Sequence, residues 1–462
     1  MAGSESTSSR RLREETSVAT RSAPRRGIMF WPVGTGDSTT IVVDDDHVVQ
    51  VDLHDMAQAD LDDAVVTPVV DELAAWLPRR NGRPYLAVFV LTHADQDHCR
   101  GFADLLKSVT IGELWATPRL WREYEDDDAV ICDDARAFQK EAERRVRATR
   151  AAAARGEQPG SGDRILVVGY DTDREQHAYA DLPDEYLTGP GHLVTSLDGD
   201  DMSAVFEAFI HAPFADDCAA ARNETSLALQ ITLRDPSGAD GRILLLGDLA
   251  HDTIMKIFDY SEAHSREDRV AWDVLLVPHH CSKHVMYRDG ELQQDVLDAL
   301  ERHARENPAI VASSMPIPAH NDTGDNPPHA KAKARYLQIV DGEDRFICTQ
   351  EWPDPSQPRP VVFGLGADGL TLLDPDILDD SVQTLSTAAK AVGEFAAVDV
   401  AAAGVLIVLA AAATRSLARW LSSRRAAPKQ NRSPGLDRAQ RAVTAARGRD
   451  AVPRQPVGFG RQ

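Results

Sequence analysis

Residues Leu91–Gly101 read LTHADQDHCRG, which places His93, Asp95, Asp97 and His98 within six positions, directly after the apolar run 85–91. Two imidazoles and two carboxylates this close are costly to hold together without a cation, because carboxylates sharing one site repel or raise each other's pKa. Oxygen and nitrogen donors at alternating positions past a strand end can converge on one point or on two neighbouring points. That arrangement suits one or two divalent metals. The plainer reading is a polar, solvated loop that happens to carry two histidines, and the rest of the chain bears on the choice.

Working outward, short apolar runs recur with turn residues between them, at 40–43, 48–51, 85–91, 205–210, 227–233, 243–246, 274–277, 310–312 and 360–364. Several are continuous rather than alternating, as expected for strands covered on both faces. Helical patterns at 60–76 and 292–305 separate some of them, so the fold class is α/β and layered. The stretch 118–197 interrupts this rhythm with an acidic patch at 123–128, an Ala/Arg-rich helix around 135–155 and a Gly/Pro loop at 156–162. We expect it to be an insertion covering one end of the sheet, as a lid or a substrate-selecting element.

The 462 residues carry a formal charge of −23 that is unevenly spread. Residues 1–27 sum to +3, residues 415–462 to +10, and the body 28–414 to −36. So acidic a body argues against clamping nucleic acid over a broad surface, which relies on Lys and Arg. The basic tails could supply a weak, salt-sensitive attraction to nucleic acid or anionic lipid. We expect 1–27 and 426–462 to be disordered, 28–374 to form the main domain, and 375–425 to hold a linker and an Ala-rich helix. The apolar core of that helix, 400–413, has 14 residues, short of the roughly 20 that span a bilayer. It reads as a peripheral or packing helix, with weak membrane association through 396–425, rather than as an anchor. Five widely spaced cysteines with no C-x-x-C pattern imply a reducing compartment, and no apolar secretory segment opens the chain, so a cytoplasmic location is expected.

The carboxyl ends of the apolar runs carry the chemistry. The run 48–51 ends in Asp52, 85–91 leads into the quoted motif, 243–246 ends in Gly247-Asp248, and 274–277 ends in Pro278-His279-His280-Cys281-Ser282-Lys283. In open α/β sheets ligands collect outside the carboxyl ends of the strands, where loops converge. One such residue alone would be a turn or a surface pair. Four sets at the same end make a metal centre.

This motif string resembles the metallo-β-lactamase fold of metal-dependent hydrolases, a four-layer αββα sandwich. It is most similar to the hydrolase domain of the competence DNA-uptake channel (ComEC-like) branch, which has H-x-D-x-D-H where the wider superfamily has H-x-H-x-D-H. The matching features are VGTGDS (33–38), VDLH with Asp52, THADQDHCRG, N-x-x-S-L with Asn223 and Ser226, LLGD with Asp248, VPHHCS with His279 and His280, and PPH with His329. The resemblance covers about residues 28–370. The channel's membrane spans are absent, Cys281 stands where that branch usually has Gly, and Cys99 where an aliphatic residue is usual. The resemblance implies that His93 and Asp95 bind one metal, that Asp97 and His98 bind a second, and that Asp248 bridges them. His279 would complete the second site with His280 beside it. Asp52 would orient a ligand histidine by accepting its ring N–H. Asn223 occupies the neighbourhood of the superfamily's third histidine; His211 is another candidate there, though a core histidine is the simpler reading.

An aspartate in place of an imidazole at Asp95 makes the first site harder, shifting preference from Zn²⁺ toward Mn²⁺. Two such cations would suit in-line displacement at a phosphodiester. Ser282 and Lys283 could touch a phosphate oxygen and His329 could donate a proton to the leaving group, roles for which Asp97, Lys283 and His329 are the catalytic candidates. The turn 34–37 allows close backbone approach, with Asp37 placed around the ligand set rather than in it. The leading expectation is a dinuclear phosphodiesterase or nuclease acting on a nucleotide or nucleic acid. An acyl-type hydrolase of the same fold (lactone, thioester or β-lactam) and a non-catalytic metal-bound scaffold are the alternatives.

Overall fold

A computed structural model describes residues 24–56, 67–125, 131–171, 174–215, 222–320 and 324–375. Its first sheet contains β1 (Gly27–Phe30), β2 (Thr39–Val42), β3 (Val48–Val51), β4 (Arg83–Val90), β5 (Thr110–Ala116) and β6 (Arg164–Val168). The second contains β7 (Phe206–Ala212), β8 (Ala228–Arg234), β9 (Asp240–Leu245), β10 (Trp272–Leu276), β11 (Ala304–Ala312) and β12 (Phe346–Cys348), after which β13 (Val361–Gly366) and β14 (Gly369–Leu372) return to the first. With short edge strands at 187–188 and 193–194, the orders are β14-β13-β1-β2-β3-β4-β5-β6-(187–188) and β12-β11-β10-β9-β8-β7-(193–194).

Both sheets are mixed. The hairpins from β14 to β3 and from β9 to β7 are antiparallel, whereas β3-β4-β5-β6 and β9-β10-β11-β12 run parallel. The parallel halves are where chain segments must cross over with helices. Those helices are α1 (Val69–Trp76), α2 (Gln96–Cys99), α3 (Phe102–Ser108), α4 (Arg119–Glu125), α5 (Asp133–Ala153), α6 (His251–Ala263), α7 (Gln294–His303) and α8 (Ala330–Tyr336).

Consecutive apolar residues serve different layers, because a strand alternates its faces. Ile243 and Leu245 enter a core shared with Val49, Val51, Val88 and Val90 of the first sheet, while Leu244 and Leu246 pack with Ile254 and Phe258 of α6. Val274 and Leu276 against Leu275 and Val277 repeat the pattern. On the first sheet Leu86 and Phe89 face Leu73, Phe102 and Phe138 from α1, α3 and α5. Three cores thus separate four layers, helices outermost. This coverage explains why the strand runs in the sequence lack polar breaks.

The segment 118–197 departs from the expected lid. Its strand β6 extends the first sheet parallel to β5, and α5 lies in the outer core. Phe138 packs against Phe89 and Phe102 with ring centroids 5.9 and 5.0 Å away. Arg145, 1% exposed, donates from Nη2 to the Ile111 carbonyl at 2.8 Å and from Nη1 to the Gly112 carbonyl at 3.0 Å. Its Nε meets Glu141 Oε1 at 2.8 Å, so the buried guanidinium is paired and satisfied. A helix whose sequence is mostly Ala and charge therefore has a buried face. The acidic patch reads only in part, since 126–130 lie outside the described residues, as do 60–66 of the expected first helix, both tails and the Ala-rich helix. Among the described residues no helix is long and apolar enough to cross a membrane.

If α5 belongs to the core, Phe138→Ala should lower stability by about 3–5 kcal/mol, read as a reduced urea midpoint. A change within about 0.5 kcal/mol would return the segment to the role of a detachable cover.

Candidate metal centre

Four loops meet at the carboxyl ends of β3, β4, β9 and β10. Asp52 follows β3 with φ of 54°, and Gln50 Nε2 holds its carbonyl at 2.7 Å. Its carboxylate accepts three hydrogen bonds, from Thr92 N at 2.7 Å, Thr92 Oγ1 at 2.6 Å and His98 Nδ1 at 2.8 Å. The last fixes the tautomer: the proton of His98 sits on Nδ1, and Nε2 presents its lone pair to the site. His280 is set the same way, because its Nδ1 lies 3.1 Å from the Ser313 carbonyl, which can only accept.

The two Nε2 atoms then face each other at 3.3 Å. Asp248 Oδ1 lies 3.3 Å from the first and 3.5 Å from the second, and Asp97 Oδ2 lies 3.4 Å from His280 Nε2. Lone pairs and carboxylate oxygens converging in a buried space demand a positive charge between them. Ligand atoms at the corners of a tetrahedron with bonds of about 2.0–2.1 Å are about 3.4 Å apart. The residues present fit a divalent metal. Without one, the same field must be met by protons: burial opposes a charge on His98 and His280, but Asp248 with Asp52, and Asp248 with Asp37, push both pKa values well above the usual imidazole range. Burial would raise the pKa of Asp248, but His280 and His98 bring it well below the usual carboxylate range.

A second group gathers on the other oxygen of Asp248. His93 Nε2 is 3.8 Å from Asp248 Oδ2 and 3.6 Å from Asp95 Oδ2, and His279 Nε2 is 3.8 Å from Asp248 Oδ2. His93 Nδ1 lies 3.1 Å from Thr92 Oγ1 and 3.2 Å from Ser226 Oγ. Both hydroxyls spend their protons elsewhere, Thr92 on Asp52 and Ser226 on the Asn223 carbonyl, so each accepts from the ring. That again turns the Nε2 lone pair inward, where the atom has no hydrogen-bond partner; Asp248 Oδ1 has none either. Asp95 also contacts Arg222. Burial works against its ionisation, but His93 and Arg222 hold its carboxyl below the usual range.

The expected residues therefore come together, with a different pairing: His279 shares the Asp248 oxygen nearest His93, and it is His280 that joins Asp97 and His98. Asp37, expected around the ligand set, has Oδ1 3.5 Å from His280 Nδ1, the ring nitrogen turned away from the centre, and belongs to a buried group with His98, Asp248 and His280 whose ligand atoms all lie within 4.8 Å. The turn before it has a specific job. A Cβ on Gly36 would fall 2.1 Å from His54 Nδ1 and 2.8 Å from the Asp97 carbonyl, and Asp37 N donates to that same carbonyl at 3.1 Å. Only glycine lets the loop lie this close to the ligand turn. His279, His280 and Cys281 hold φ of 50°, 51° and 67° in succession. Such a run is strained for non-glycine residues, and it aims two neighbouring imidazoles, with ring planes 83° apart, at one carboxylate.

The remaining candidates make contacts of other kinds. Lys283 Nζ binds the Gly324 carbonyl at 2.9 Å and Asp325 at 3.1 Å. His329 Nδ1 accepts from Lys283 N at 3.1 Å, so its Nε2 proton points to the Gly324 carbonyl, 3.2 Å away. Asn223 opens the short turn that carries Ser226, and Ser226 Oγ also accepts from Asp248 N at 3.2 Å. His211 is a core residue, bonded through Nε2 to the Arg269 carbonyl at 2.8 Å. Ser313 and Arg222 escaped the sequence reading, and Thr92 and Ser226, which lie inside the quoted motifs, were given no contact there. Small hydroxyl residues at strand ends carry no signal that distinguishes them from ordinary turns.

The chain is thus an α/β protein of two mixed sheets with a buried histidine–aspartate cluster of metal-binding composition at one rim. The structure is similar to that of a metallo-β-lactamase, MIM-1 from Novosphingobium pentaromativorans, with a TM-score of 0.26 and 15% identity over 57% of this chain and 81% of that one. No family model and no curated protein matches the sequence. A superposition this loose assigns no residue roles, which rest on the geometry above.

Asp52→Ala should weaken Mn²⁺ or Zn²⁺ binding about 10–100-fold in calorimetric titration while leaving the circular dichroism intact. Unchanged affinity would show that the Nδ1 anchor is not needed. Burial holds His211 neutral, its pKa down to about 4 from an ordinary 6.5. The unfolded chain then binds the proton first, so stability should fall as pH drops from 6.5 toward 4. His211→Gln should flatten that limb of a plot of urea midpoint against pH.

Proposed function

We propose that this protein is a metal-dependent hydrolase of the metallo-β-lactamase fold that cleaves phosphodiesters. The observation that carries the reading is the division of Asp248, with Oδ1 turned to His98 and His280 and Oδ2 to His93 and His279. A carboxylate presenting its two oxygens to two histidine pairs is suited to bridging two cations. We assign His93, Asp95 and His279 to one and Asp97, His98 and His280 to the other. Asp37 lies at the edge of the second group.

Divalent cations held there supply Lewis acidity toward a phosphoryl oxygen and activate a water. The chain's own residues prepare for this. Asp52, Ser226 and the Ser313 carbonyl hold the Nδ1 protons of His98, His93 and His280, keeping three Nε2 atoms available and the rings fixed. Arg222 offsets the charge of Asp95. Three carboxylates, Asp95, Asp97 and Asp248, make the ligand set harder and more anionic, which moves its preference from Zn²⁺ toward Mn²⁺ and suits a phosphate-bearing substrate better than an acyl one. The −36 charge of the body favours a short or cyclic nucleotide over a long duplex. Lys283 and His329 act in this reading by tying 324–329 to the strained histidine turn.

The metal-loaded protein should hydrolyse a chromogenic phosphodiester and leave a lactone and a cephalosporin largely untouched. Asp97→Ala should reduce the rate on the order of 100-fold through misplaced ligands. Turnover of the lactone or cephalosporin alone would replace the phosphodiesterase reading with an acyl hydrolase. Activity undiminished in Asp97→Ala would belong to a contaminant.

A further inference from the structure

Cys99 and Cys132 take no part in the chemistry above, yet they are 33 positions apart in sequence and meet with their sulfur atoms 3.4 Å apart. Cys99 is the last residue of α2, directly after Asp97 and His98, and is fully buried. Cys132 is half-buried and caps the amino terminus of α5, where its sulfur accepts from Ala135 N at 3.4 Å. The same helix end is stitched to the ligand-bearing turn by Asp134, which accepts from Gly101 N at 3.0 Å and from Ala103 N at 2.9 Å. Both cysteines are free thiols. The two sulfurs therefore sit on well-anchored segments, about 1.4 Å from disulfide bonding distance.

We propose that Cys99 and Cys132 are an oxidisable dithiol, with Cys132 as the residue attacked by a peroxide and Cys99 as its resolving partner. The asymmetry is built into the fold. Cys132 is the reachable sulfur, and it receives hydrogen bonds at a helix amino terminus, where thiolates are stabilised. The hydrogen bond from Cys99, aided by that from Ala135 N and opposed by burial, draws its pKa down to about 6. In the first step the Cys132 thiolate attacks one peroxide oxygen and the O–O bond breaks. With hydrogen peroxide, the departing hydroxide takes a proton to leave as water, and Cys132 becomes a sulfenic acid. In the second step Cys99 Sγ attacks the Cys132 sulfur. The S–S bond forms, the S–O bond breaks, and the thiol proton leaves with the hydroxide as a second water. Two electrons pass from the two thiols to the peroxide. The product joins α2, which carries Asp97 and His98, covalently to α5. This inference does not depend on the hydrolase reading.

The test uses the full chain, reduced, desalted and then treated with a small molar excess of hydrogen peroxide. The expected product has lost two hydrogen atoms by intact mass, yields a peptide linking Cys99 to Cys132, and reverts with dithiothreitol. Cys132→Ser should abolish the link. Cys99→Ala should leave a Cys132 sulfenic acid that dimedone traps. The proposal is overturned if both cysteines stay alkylatable while other cysteines oxidise. It is equally overturned if Cys132 pairs instead with Cys218, Cys281 or Cys348.

Discussion

The structure turns on one electrostatic constraint, the convergence of two imidazole lone pairs and two carboxylates on a buried point between His98, His280, Asp97 and Asp248. The two Nε2 atoms, 3.3 Å apart, cannot both relax, because each Nδ1 is already committed, one to Asp52 and the other to the Ser313 carbonyl. A cation removes the repulsion in a single step, whereas protons remove it only by placing charge on rings that burial would keep neutral. Much of the surrounding architecture holds that arrangement in place.

The supporting elements share the burden unevenly. The parallel halves of the sheets bring β3, β4, β9 and β10 to one rim, where chain ends meet without having to cross the cores. The finer aim comes from backbone conformations that are unfavourable elsewhere: left-handed Asp52, the left-handed run His279–Cys281, and Gly36 pressed onto His54 and the Asp97 carbonyl. Residues in such conformations persist when the contacts around them over-determine the geometry. Here the contacts are Gln50 on the Asp52 carbonyl, His329 on Lys283 N, and Ser313 Oγ on the Gly36 carbonyl at 2.6 Å.

Helix α5 links this rim to the rest of the molecule. Its apolar face seals the outer core, Arg145 secures the start of β5, and Asp134 caps the segment that follows the histidine motif. A segment that looks polar in sequence thereby becomes both a wall of the core and a brace for the ligand turn. The sulfur pair at its amino terminus lies on that brace.

The sequence alone determined the α/β class, nine of the strand positions and the four strand-end clusters, because burial on both faces leaves uninterrupted apolar runs and metal-type side chains are conspicuous where such runs stop. Sequence could not assign His279 and His280 to their separate oxygens of Asp248, since neighbours in the chain diverge only through three left-handed residues. It placed Asp37 around the ligand set but could not show that its carboxylate faces His280 Nδ1, and it read 118–197 as a cover because α5 hides a buried face among charged residues. Ser313 and Arg222 were invisible for the same reason, and so were the contacts of Thr92 and Ser226. A hydroxyl or guanidinium gains its meaning from the atom it touches, and those contacts join residues up to hundreds of positions apart. Side-chain chemistry is written locally, but the direction of a lone pair is decided by the tertiary partner on the opposite side of the ring.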